Sequence, residues 1–288
     1  MKKTLFRIFK GILIFLLIVL AIAGGILAYN MWLNQTFVTT FYTVTTDKDI
    51  ENMRIVELSD LHLREYGEKN ADLVERIRNL KPDIIAVAGD MNIDENPDYT
   101  VVLELMEQLV EIAPVYYGPG NHEWAGIYGW HYSAMADDIA ATGAHFLLQQ
   151  YEDVEINGNK LRIGGIFEWP QEQLEWPNSQ KVVDVLDAQK QDTSDVYTIL
   201  ICHCPELFYT SLQNVQVDLA ISGHAHGGLV RLPHTDGLWS TSQGFFPKDT
   251  SGVRQIGEST VVISRGLGDS EPYPRIFNQP ELVVIDIN

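Results

Sequence analysis

The chain has 288 residues, of which 45% are hydrophobic, and its formal net charge is −19. Four basic residues lie within the first ten, so the remainder holds 16 basic against 39 acidic residues, about −23. No nucleic acid is expected as a partner, because phosphate backbones are bound mainly through Lys and Arg. The length is enough for one sizeable core.

The N-terminal segment predicts a membrane anchor. Residues 1–10 form a basic flank, and residues 11–30 are predicted to be a transmembrane signal anchor, because the run from Gly11 to Ala28 is uncharged and nearly all apolar. A cleaved signal peptide is the alternative, since Ala21-Ile22-Ala23 resembles a cleavage site. The apolar run continues past that site, which favours an uncleaved anchor.

The basic flank predicts that the N-terminus stays in the cytoplasm. The expected localisation is therefore the cell membrane, with a single pass, a lipid bilayer around the N-terminal helix, and the rest of the chain on the extracytoplasmic side. Residues 31–52 are expected to form a linker and an edge strand. Residues 53–288 are expected to form one domain.

Five apolar or β-branched runs predict buried strands, and each is followed at once by a short polar block. The blocks contain Ser59, Asp60 and His62; Gly89 and Asp90; Gly120, Asn121, His122 and Glu123; His203; and Gly223, His224 and His226. In an α/β sheet the active site lies where parallel strands end. The polar blocks are therefore expected to meet.

Between these blocks the pattern alternates strands and helices. Residues 71–80 and 101–112 have helical apolar spacing and end before prolines, which implies parallel strands with right-handed crossovers. Asn157-Gly158-Asn159 predicts a hairpin between two short strands. Later strand runs raise the count, so two packed sheets with outer helices are expected.

The residue types of the blocks suit a two-metal hydrolytic site. Cleaving a phosphate ester near neutral pH requires an ionised water and positive charge over the phosphoryl oxygens, which two close metal ions can supply. Asp90 is the candidate bridging carboxylate, because its side chain is short and Gly89 lets the backbone approach closely. Imidazole with carboxylate suits borderline metals better than calcium.

The five blocks, in this order, resemble the signature of the calcineurin-like metallophosphoesterases: Asp-x-His, Gly-Asp, Gly-Asn-His-Asp/Glu, His, and Gly-His-x-His. The resemblance runs from about Met53 to the C-terminus. It implies an α/β fold, a four-layer αββα sandwich of two mixed sheets, which here follows one N-terminal transmembrane helix. It also implies an enzyme, a metal-dependent hydrolase.

The same resemblance implies roles for the site residues. Seven of them would hold two divalent ions. The first ion would be bound by Asp60, His62 and His226, and the second by Asn121, His203 and His224. Asp90 would bind both ions. His122 would be catalytic rather than a ligand, stabilising phosphoryl charge or protonating the leaving oxygen. Mn²⁺ is the expected ion, with Zn²⁺ or Fe as alternatives.

A narrower resemblance is to the membrane-anchored branch of this family, which includes phosphodiesterases related to UDP-2,3-diacylglucosamine pyrophosphatase. It is carried by Gly227-Gly228, by Ser264 to Gly268, and by Pro274-Arg275 and Pro280-Glu281-Leu282. It implies phosphodiester or pyrophosphate hydrolysis by a dinuclear-metal-bound hydroxide, on a lipid-linked or nucleotide-sugar substrate at the membrane surface. The alternatives are a phosphomonoesterase, a nucleotide or cell-wall phosphoesterase without lipid preference, and a non-catalytic metal-binding module.

Two local features leave their roles open. Three loops carry aromatic residues that either pack locally or form an apolar wall beside the site: Trp124, Tyr128 and Trp130; Trp169 and Trp176; and Trp239, Phe245 and Phe246. Arg265, Arg275 and Lys248 either offset the acidic charge inside a cleft or lie on the surface.

Overall fold

The computed structural model describes residues 2–93, 98–128, 134–167, 196–232, 236–240, 243–269 and 274–288. Its helices are α1 (Lys2–Leu33), α2 (Ala71–Leu80), α3 (Thr100–Leu109), α4 (Asn121–Tyr128) and α5 (Met135–Ala141). Its strands are β1 (Val38–Val44), β2 (Met53–Leu58), β3 (Ile84–Ala88), β4 (Val115–Gly118), β5 (His145–Phe146), β6 (Gln150–Ile156), β7 (Asn159–Ile166), β8 (Tyr197–Cys202), β9 (Leu219–Ser222), β10 (Trp239–Ser240), β11 (Gly244–Phe245), β12 (Gly252–Ile256), β13 (Ser259–Ile263) and β14 (Glu281–Ile287).

Twelve of these strands form two mixed sheets of six. The order is β1-β14-β2-β3-β4-β5 in the first sheet and β12-β13-β9-β8-β7-β6 in the second. Strands β2, β3 and β4 are parallel neighbours, and so are β7, β8 and β9. The predicted α/β fold with two mixed sheets is therefore confirmed.

The two sheets pack face to face through fully buried aliphatic side chains. Ile55 and Ile84 contribute from the first sheet, and Ile199 and Ile221 from the second. Burying one such side chain stabilises the fold by about 1.5–3 kcal/mol. This shared layer fixes the two sheets against each other. The strand ends of one sheet are therefore held at a constant distance from those of the other.

Helices cover the outer face of the first sheet. The apolar spacing predicted a helix over residues 71–80, and α2 has these bounds, with Leu73 and Ile77 fully buried. Helix α3 ends at Leu109 rather than at 112, because the amide of Ile112 donates to the Leu109 carbonyl and tightens the chain before Pro114.

The outer face of the second sheet is covered, within the described residues, by a short 3₁₀ helix, Pro205–Tyr209. Leu207 and Phe208 of this helix pack against Leu200 of β8. The hairpin predicted at residues 157–159 joins β6 to β7. Asn157 and Gly158 both have positive φ there, as a tight two-residue hairpin turn requires.

Helix α1 stands apart from the sheets for most of its length. The segment Lys3–Leu33 is long and apolar enough to cross a membrane, and nearly all its side chains are exposed. Among the described residues, the hydrogen bonds that join α1 to the domain lie at its C-terminal end. Asn30 Oδ1 accepts a hydrogen bond from the amide of Phe277 (2.6 Å), and Asn34 Nδ2 donates to the carbonyl of Arg275 (3.0 Å).

The chain returns from α1 into the first sheet as an edge strand. Strand β1 pairs in parallel with β14 along all seven of its residues, from Val38 with Glu281 to Val44 with Ile287. Because β14 also follows the loop that contacts α1, the end of this helix is tied to the sheet on two sides. The helix and the strand ends therefore have a fixed geometric relation.

Candidate metal centre

The five polar blocks meet at one edge of the two packed sheets. Asp60 follows β2, Asp90 follows β3, and Asn121 begins α4 just after β4. His203 follows β8, and the pair His224 and His226 follows β9. Because these strands are parallel within each sheet, their carboxyl ends lie side by side, as the sequence predicted.

The loops that carry these residues are backbone-strained. Asp60, His62, Asp90, His224 and His226 all have φ between 47° and 69°. Non-glycine residues adopt this left-handed region rarely, and the strain persists only where the surrounding structure enforces it. Such clustering is typical of functional sites.

Close backbone approach explains two of the glycines. Gly89 has φ 77°, and a side chain there would collide with the backbone of Gly120 in the neighbouring loop. A side chain at Gly223 would instead collide with the side chains of Ser59 and Asp60, so the backbone of Gly223 passes close to them. The expectation that Gly89 permits close approach beside Asp90 is therefore confirmed.

One group of potential ligands consists of Asp60, His62 and His226, whose candidate ligand atoms all lie within 4.8 Å of one another. The Nε2 atoms of His62 and His226 are 3.3 Å apart, and Asp60 Oδ1 lies 3.5 Å from His226 Nε2. All three residues are buried.

A second group consists of Asp90, His203 and His224, whose candidate ligand atoms also lie within 4.8 Å of one another. His203 Nε2 lies 3.0 Å from Asp90 Oδ2 and 3.9 Å from Asp60 Oδ1. The amide of His224 donates to both carboxylate oxygens of Asp60, at 3.1 and 3.2 Å. The two groups are therefore adjacent and interconnected.

Hydrogen bonds to backbone carbonyls orient two of the imidazole rings. His62 Nδ1 lies 3.3 Å from the carbonyl of Asn92, and His203 Nδ1 lies 2.6 Å from that of Ala88. A carbonyl accepts only, so each Nδ1 carries the proton and each Nε2 offers a lone pair when the ring is neutral. This is how a protein prepares histidine as a metal ligand.

Burial and charge set unusual protonation in this cluster. Burial lowers the pKa of His62 to about 3 and raises that of Asp60 to about 6. Burial opposes charge on His203 and Asp90 too, but their attraction raises the pKa of His203 to about 10 and holds that of Asp90 well below its usual range. A buried carboxylate thus retains its negative charge at neutral pH, as cation binding requires.

His122 sits on the open side of the cluster. Its amide donates to Asp90 Oδ1 (2.9 Å), and its Nε2 lies 3.8 Å from Asp90 Oδ2. The side chain keeps 16% exposure, whereas that of Asp90 keeps 3%. The ring therefore faces the solvent-accessible side of Asp90.

Asn121 provides a test of whether these residues suit a metal. Its Oδ1 is buried, yet it accepts no hydrogen bond from the described part of the chain. Gly120 and His122, on either side of it, both contact Asp90. A buried amide oxygen without a partner is costly, and a cation would satisfy it. The donor set of carboxylates, imidazoles and this amide fits divalent metal ions.

Glu123 is a buried part of the site to which the sequence pattern assigned no role. Its carboxylate is fully buried and accepts from the amides of Asp90 (2.7 Å), Met91 (2.8 Å), Asn92 (3.1 Å) and Gly120 (2.8 Å). Tyr117 Oη donates to it as well, at 2.9 Å. One side chain thereby fixes the loop that presents Asp90.

The sequence signal for Glu123 was a helix-capping pattern. Glu123 lies in the first turn of α4, and its side chain reaches back to the amide of Gly120, where the helix begins. An acidic residue at that position commonly caps a helix. Its bonds to the neighbouring Asp90 loop depend on tertiary structure and have no local signature.

Arg275 is buried in the site rather than lying on the surface. It is fully buried, donates to Asp269 Oδ1 and to the Arg265 carbonyl (both 2.5 Å), and also donates to the Gly268 carbonyl. Its Nη2 lies 3.1 Å from His226 Nδ1. Because a guanidinium can only donate, His226 Nδ1 accepts in this contact, and the proton of the neutral ring lies on Nε2. Binding of a metal ion through Nε2 therefore requires that proton to leave, or the ring to turn.

The remaining basic candidates differ from Arg275. Arg265 is partly buried and pairs with Glu281 through Nη2 (3.1 Å), so its charge is already balanced. Lys248 lines a cavity of about 460 Å³ with Pro205, Glu206, Tyr209, Gln243 and Asp249. This cavity adjoins the block that carries His203.

The aromatic residues separate into two groups. Trp124 is 5% exposed and packs against Phe167, with ring centroids 5.4 Å apart, so its role is local packing. Phe245 and Phe246 are highly exposed. Trp130, Trp169 and Trp176 lie outside the described residues, as does the side chain of Tyr128.

The fold and the clustered potential metal ligands are those of a metal-dependent hydrolase. A family model for the calcineurin-like phosphoesterases matches residues 53–228, well over half of the chain. The chain belongs to this family, and the family resemblance expected from the five blocks is confirmed.

Relatives in bacteria and in an animal support this assignment. The uncharacterized metallophosphoesterase YkuE of Bacillus subtilis is 27% identical over 277 residues, which cover 92% of this chain and 91% of the relative. An uncharacterized metallophosphoesterase of Aquifex aeolicus is 28% identical over 257 residues, covering 85% and 90%. A transmembrane protein with a metallophosphoesterase domain from Danio rerio is 26% identical over 245 residues, covering 83% of this chain and 54% of that protein.

Proposed function

We propose that this hydrolase is a phosphodiesterase or pyrophosphatase with a dinuclear metal centre, tethered to the outer face of a cytoplasmic membrane. The observation that carries the proposal is the position of Asp90. Its carboxylate lies against His203 on one side and belongs to a group with His62 and His122 on the other. A carboxylate placed between two sets of ligands is suited to bridge two ions.

The proposed ligands follow from this arrangement. Asp60, His62 and His226 would hold one ion, Asn121, His203 and His224 the other, and Asp90 both. Two bound divalent ions would supply positive charge over the phosphoryl oxygens and acidify a water molecule. Mn²⁺ is the ion we propose, because carboxylate, amide and imidazole donors together suit it, and Zn²⁺ or Fe would fit the same donors.

His122 is proposed to act on the substrate. Its backbone amide holds Asp90 Oδ1, while its imidazole remains on the exposed side, next to the place where a phosphoryl group would approach. From there the ring can stabilise phosphoryl charge or donate a proton to the leaving oxygen. The proton would move from the imidazole to that oxygen.

The surroundings favour a substrate with a second group beyond the phosphate. A cavity of about 460 Å³ adjoins the His203 block and is lined by polar side chains, including Gln243 and Lys248. Cavities of this size commonly hold a small organic group rather than an isolated phosphate. A diester or pyrophosphate carries such a group on each side of the scissile bond.

Helix α1 supports a substrate at the membrane. We propose that this helix is an uncleaved anchor with its N-terminus in the cytoplasm, because the basic flank precedes the apolar run. The domain beyond it would then be extracytoplasmic. A lipid-linked or nucleotide-sugar diester is the substrate class that we propose, and the resemblance of Gly227-Gly228 and of Ser264 to Gly268 to the membrane-anchored branch of the family favours the same class.

The test is turnover of two chromogenic esters by the full chain in detergent micelles loaded with Mn²⁺. Bis-p-nitrophenyl phosphate is the diester and p-nitrophenyl phosphate is the monoester. Faster diester cleavage, lost in Asp90→Asn, is the expected result. Preference for the monoester would overturn the diesterase assignment. Absence of turnover with Mn²⁺, Zn²⁺ and Fe²⁺ would favour a non-catalytic metal-binding module.

A further inference from the structure

Four short segments lie side by side next to the metal centre and are joined by backbone hydrogen bonds; they are here called the anchor-side ribbon: residues 229–232, 238–240, 244–246 and 276–277. The amide of Ile276 donates to the Leu229 carbonyl, and that of Arg231 donates to the Ile276 carbonyl. Leu238 bonds Val230 on the other side, and Trp239 pairs with Phe245. The segments therefore lie next to one another and span on the order of 14 Å.

The ribbon concentrates the exposed apolar surface of the domain. Outside α1, eight large apolar side chains of the described residues are exposed, and four of them lie on this ribbon: Leu232 (45%), Phe245 (78%), Phe246 (75%) and Phe277 (51%). Single exposed apolar residues are ordinary on a protein surface. A local group with two adjacent phenylalanines marks an interaction site.

The ribbon is attached to α1 at the depth where a bilayer would end. A hydrocarbon core of about 30 Å is crossed by about 20 helical residues. If the membrane-spanning segment begins at Gly11, directly after Lys10, its twentieth residue is Asn30. Asn30 is 1% exposed, and its Oδ1 accepts the amide of Phe277 at 2.6 Å. Phe277 is therefore level with the boundary of the hydrocarbon core.

The neighbouring side chains of α1 agree with this depth. Tyr29 and Trp32 flank Asn30 and are 55% and 68% exposed. Aromatic side chains of this kind are enriched at the interface between lipid tails and headgroups. Between Lys10 and Asp47 the chain carries no charged residue. Arg64, which donates to the Asn34 carbonyl at this junction, lies 3.8 Å from Asp269, so its charge is balanced there.

The ribbon also borders the proposed metal site. Gly227 and Gly228 alone separate His226 from Leu229 in the chain, and Arg275, next to Ile276, contacts His226 Nδ1 at 3.1 Å. A surface that lies against the bilayer at the ribbon would therefore hold the site close to lipid phosphates.

We propose that the anchor-side ribbon inserts Phe245, Phe246, Leu232 and Phe277 into the bilayer interface, so that the metal centre acts on phosphodiesters whose acyl chains remain in the membrane. The occupant of this surface is lipid. The substrate part of this inference rests on the proposed hydrolysis, whereas the insertion rests on the proposed membrane anchor and on the attachment of the ribbon to α1.

Insertion is tested in liposomes with the full chain carrying a single surface thiol. Phe246→Cys and Phe277→Cys are each labelled with an environment-sensitive fluorophore, since Cys202 and Cys204 are fully buried. Glu258→Cys, in the exposed turn between β12 and β13, is the matched control, because that turn lies at the strand ends opposite the site. We expect blue-shifted emission and quenching by spin-labelled lipid at both ribbon positions and neither effect at residue 258.

Other results would overturn the insertion. Labels at residues 246 and 277 that respond like the label at 258 would show an aqueous surface. Labels shielded from water yet unaffected by spin-labelled lipid would indicate that a protein, such as a second copy of this chain, covers the ribbon.

The substrate part has its own test in the same liposomes. The double variant Phe245→Ser/Phe246→Ser should cleave a bilayer-embedded phosphodiester about tenfold more slowly, because it loses apolar burial at the interface. Cleavage of soluble bis-p-nitrophenyl phosphate should be unchanged. Equal rates for variant and unsubstituted chain on the lipid would refute the substrate part. An unsubstituted chain inactive on both esters would instead refute the proposed function, while the fluorescence result would still decide insertion.

Discussion

Replacing Glu123 by glutamine keeps the shape of the side chain but exchanges one carboxylate oxygen for an NH₂ group, which cannot accept a hydrogen bond. Oε2 accepts from Asp90 and Gly120, whereas Oε1 accepts from Met91, Asn92 and Tyr117. Whichever way the amide is oriented, at least two donors in a fully buried place lose their partner.

The expected loss follows from these two donors. Each buried donor left without an acceptor costs about 1–3 kcal/mol, so the free energy of unfolding should fall by about 2–6 kcal/mol. The Asp90 loop would also be held less firmly, and loss of such a supporting contact typically weakens metal binding by about 10–100-fold.

The measurement is denaturant unfolding of the metal-free full chain in detergent micelles, followed by a Mn²⁺ titration of the folded variant. Glu75→Gln is the matched control, because Glu75 lies on the exposed face of α2, where the same exchange should change stability by no more than about 0.5 kcal/mol. If Glu123→Gln unfolds like Glu75→Gln and binds Mn²⁺ with unchanged affinity, the carboxylate does not hold the Asp90 loop.

Three further predictions concern stability, a buried cation and the metal. Burial, with smaller effects from Glu281 and Asp60, raises the pKa of Glu57 well above 4.5, and neither oxygen of Glu57 is hydrogen-bonded in the described residues. In the folded protein Glu57 therefore binds a proton more tightly than in the unfolded chain, so the free energy of unfolding falls as pH rises from 4.5 towards the raised pKa. Glu57→Gln should remove this fall. Equal pH dependence of unfolding for the variant and the unsubstituted chain would contradict the prediction. Arg275→Lys should lower the unfolding midpoint, because an ammonium cannot make the same set of buried bonds as the planar guanidinium; an unchanged midpoint would show that those bonds contribute nothing. Treatment with a chelator should abolish turnover and addition of Mn²⁺ should restore it, whereas turnover that survives complete metal removal would exclude metal-dependent catalysis.

The strands and polar blocks were predictable because their signals are local. An apolar run such as Ile84 to Ala88 must be buried, and the Gly89-Asp90 pair directly after it must then lie at a strand end. The close approach at Gly89 was predicted from its place beside Asp90, whereas the one at Gly223 was not predicted. Helix α2 was predicted with its full bounds because its apolar spacing ends just before Pro82.

The supporting contacts of the site could not be predicted in the same way. Glu123 acts through amides of a loop more than thirty residues away, and Arg275 acts through an imidazole 49 residues away. The sequence leaves Arg275 open between a cleft and the surface because a charged residue gives no local sign of its partners. Asn30 and Asn34 did carry a signal, since they are polar residues at the end of an apolar helix, and their partners lie more than 240 residues later.

The central claim is that seven residues hold two ions and that His122 performs chemistry without holding them. The most direct measurement determines metal content and diester turnover together for the full chain, His122→Ala and Asp90→Asn. We expect about two Mn²⁺ per chain in the first two proteins, with turnover lost in His122→Ala, and loss of both metal and turnover in Asp90→Asn. Metal lost from His122→Ala in proportion to activity, or full turnover in either variant, would contradict this account.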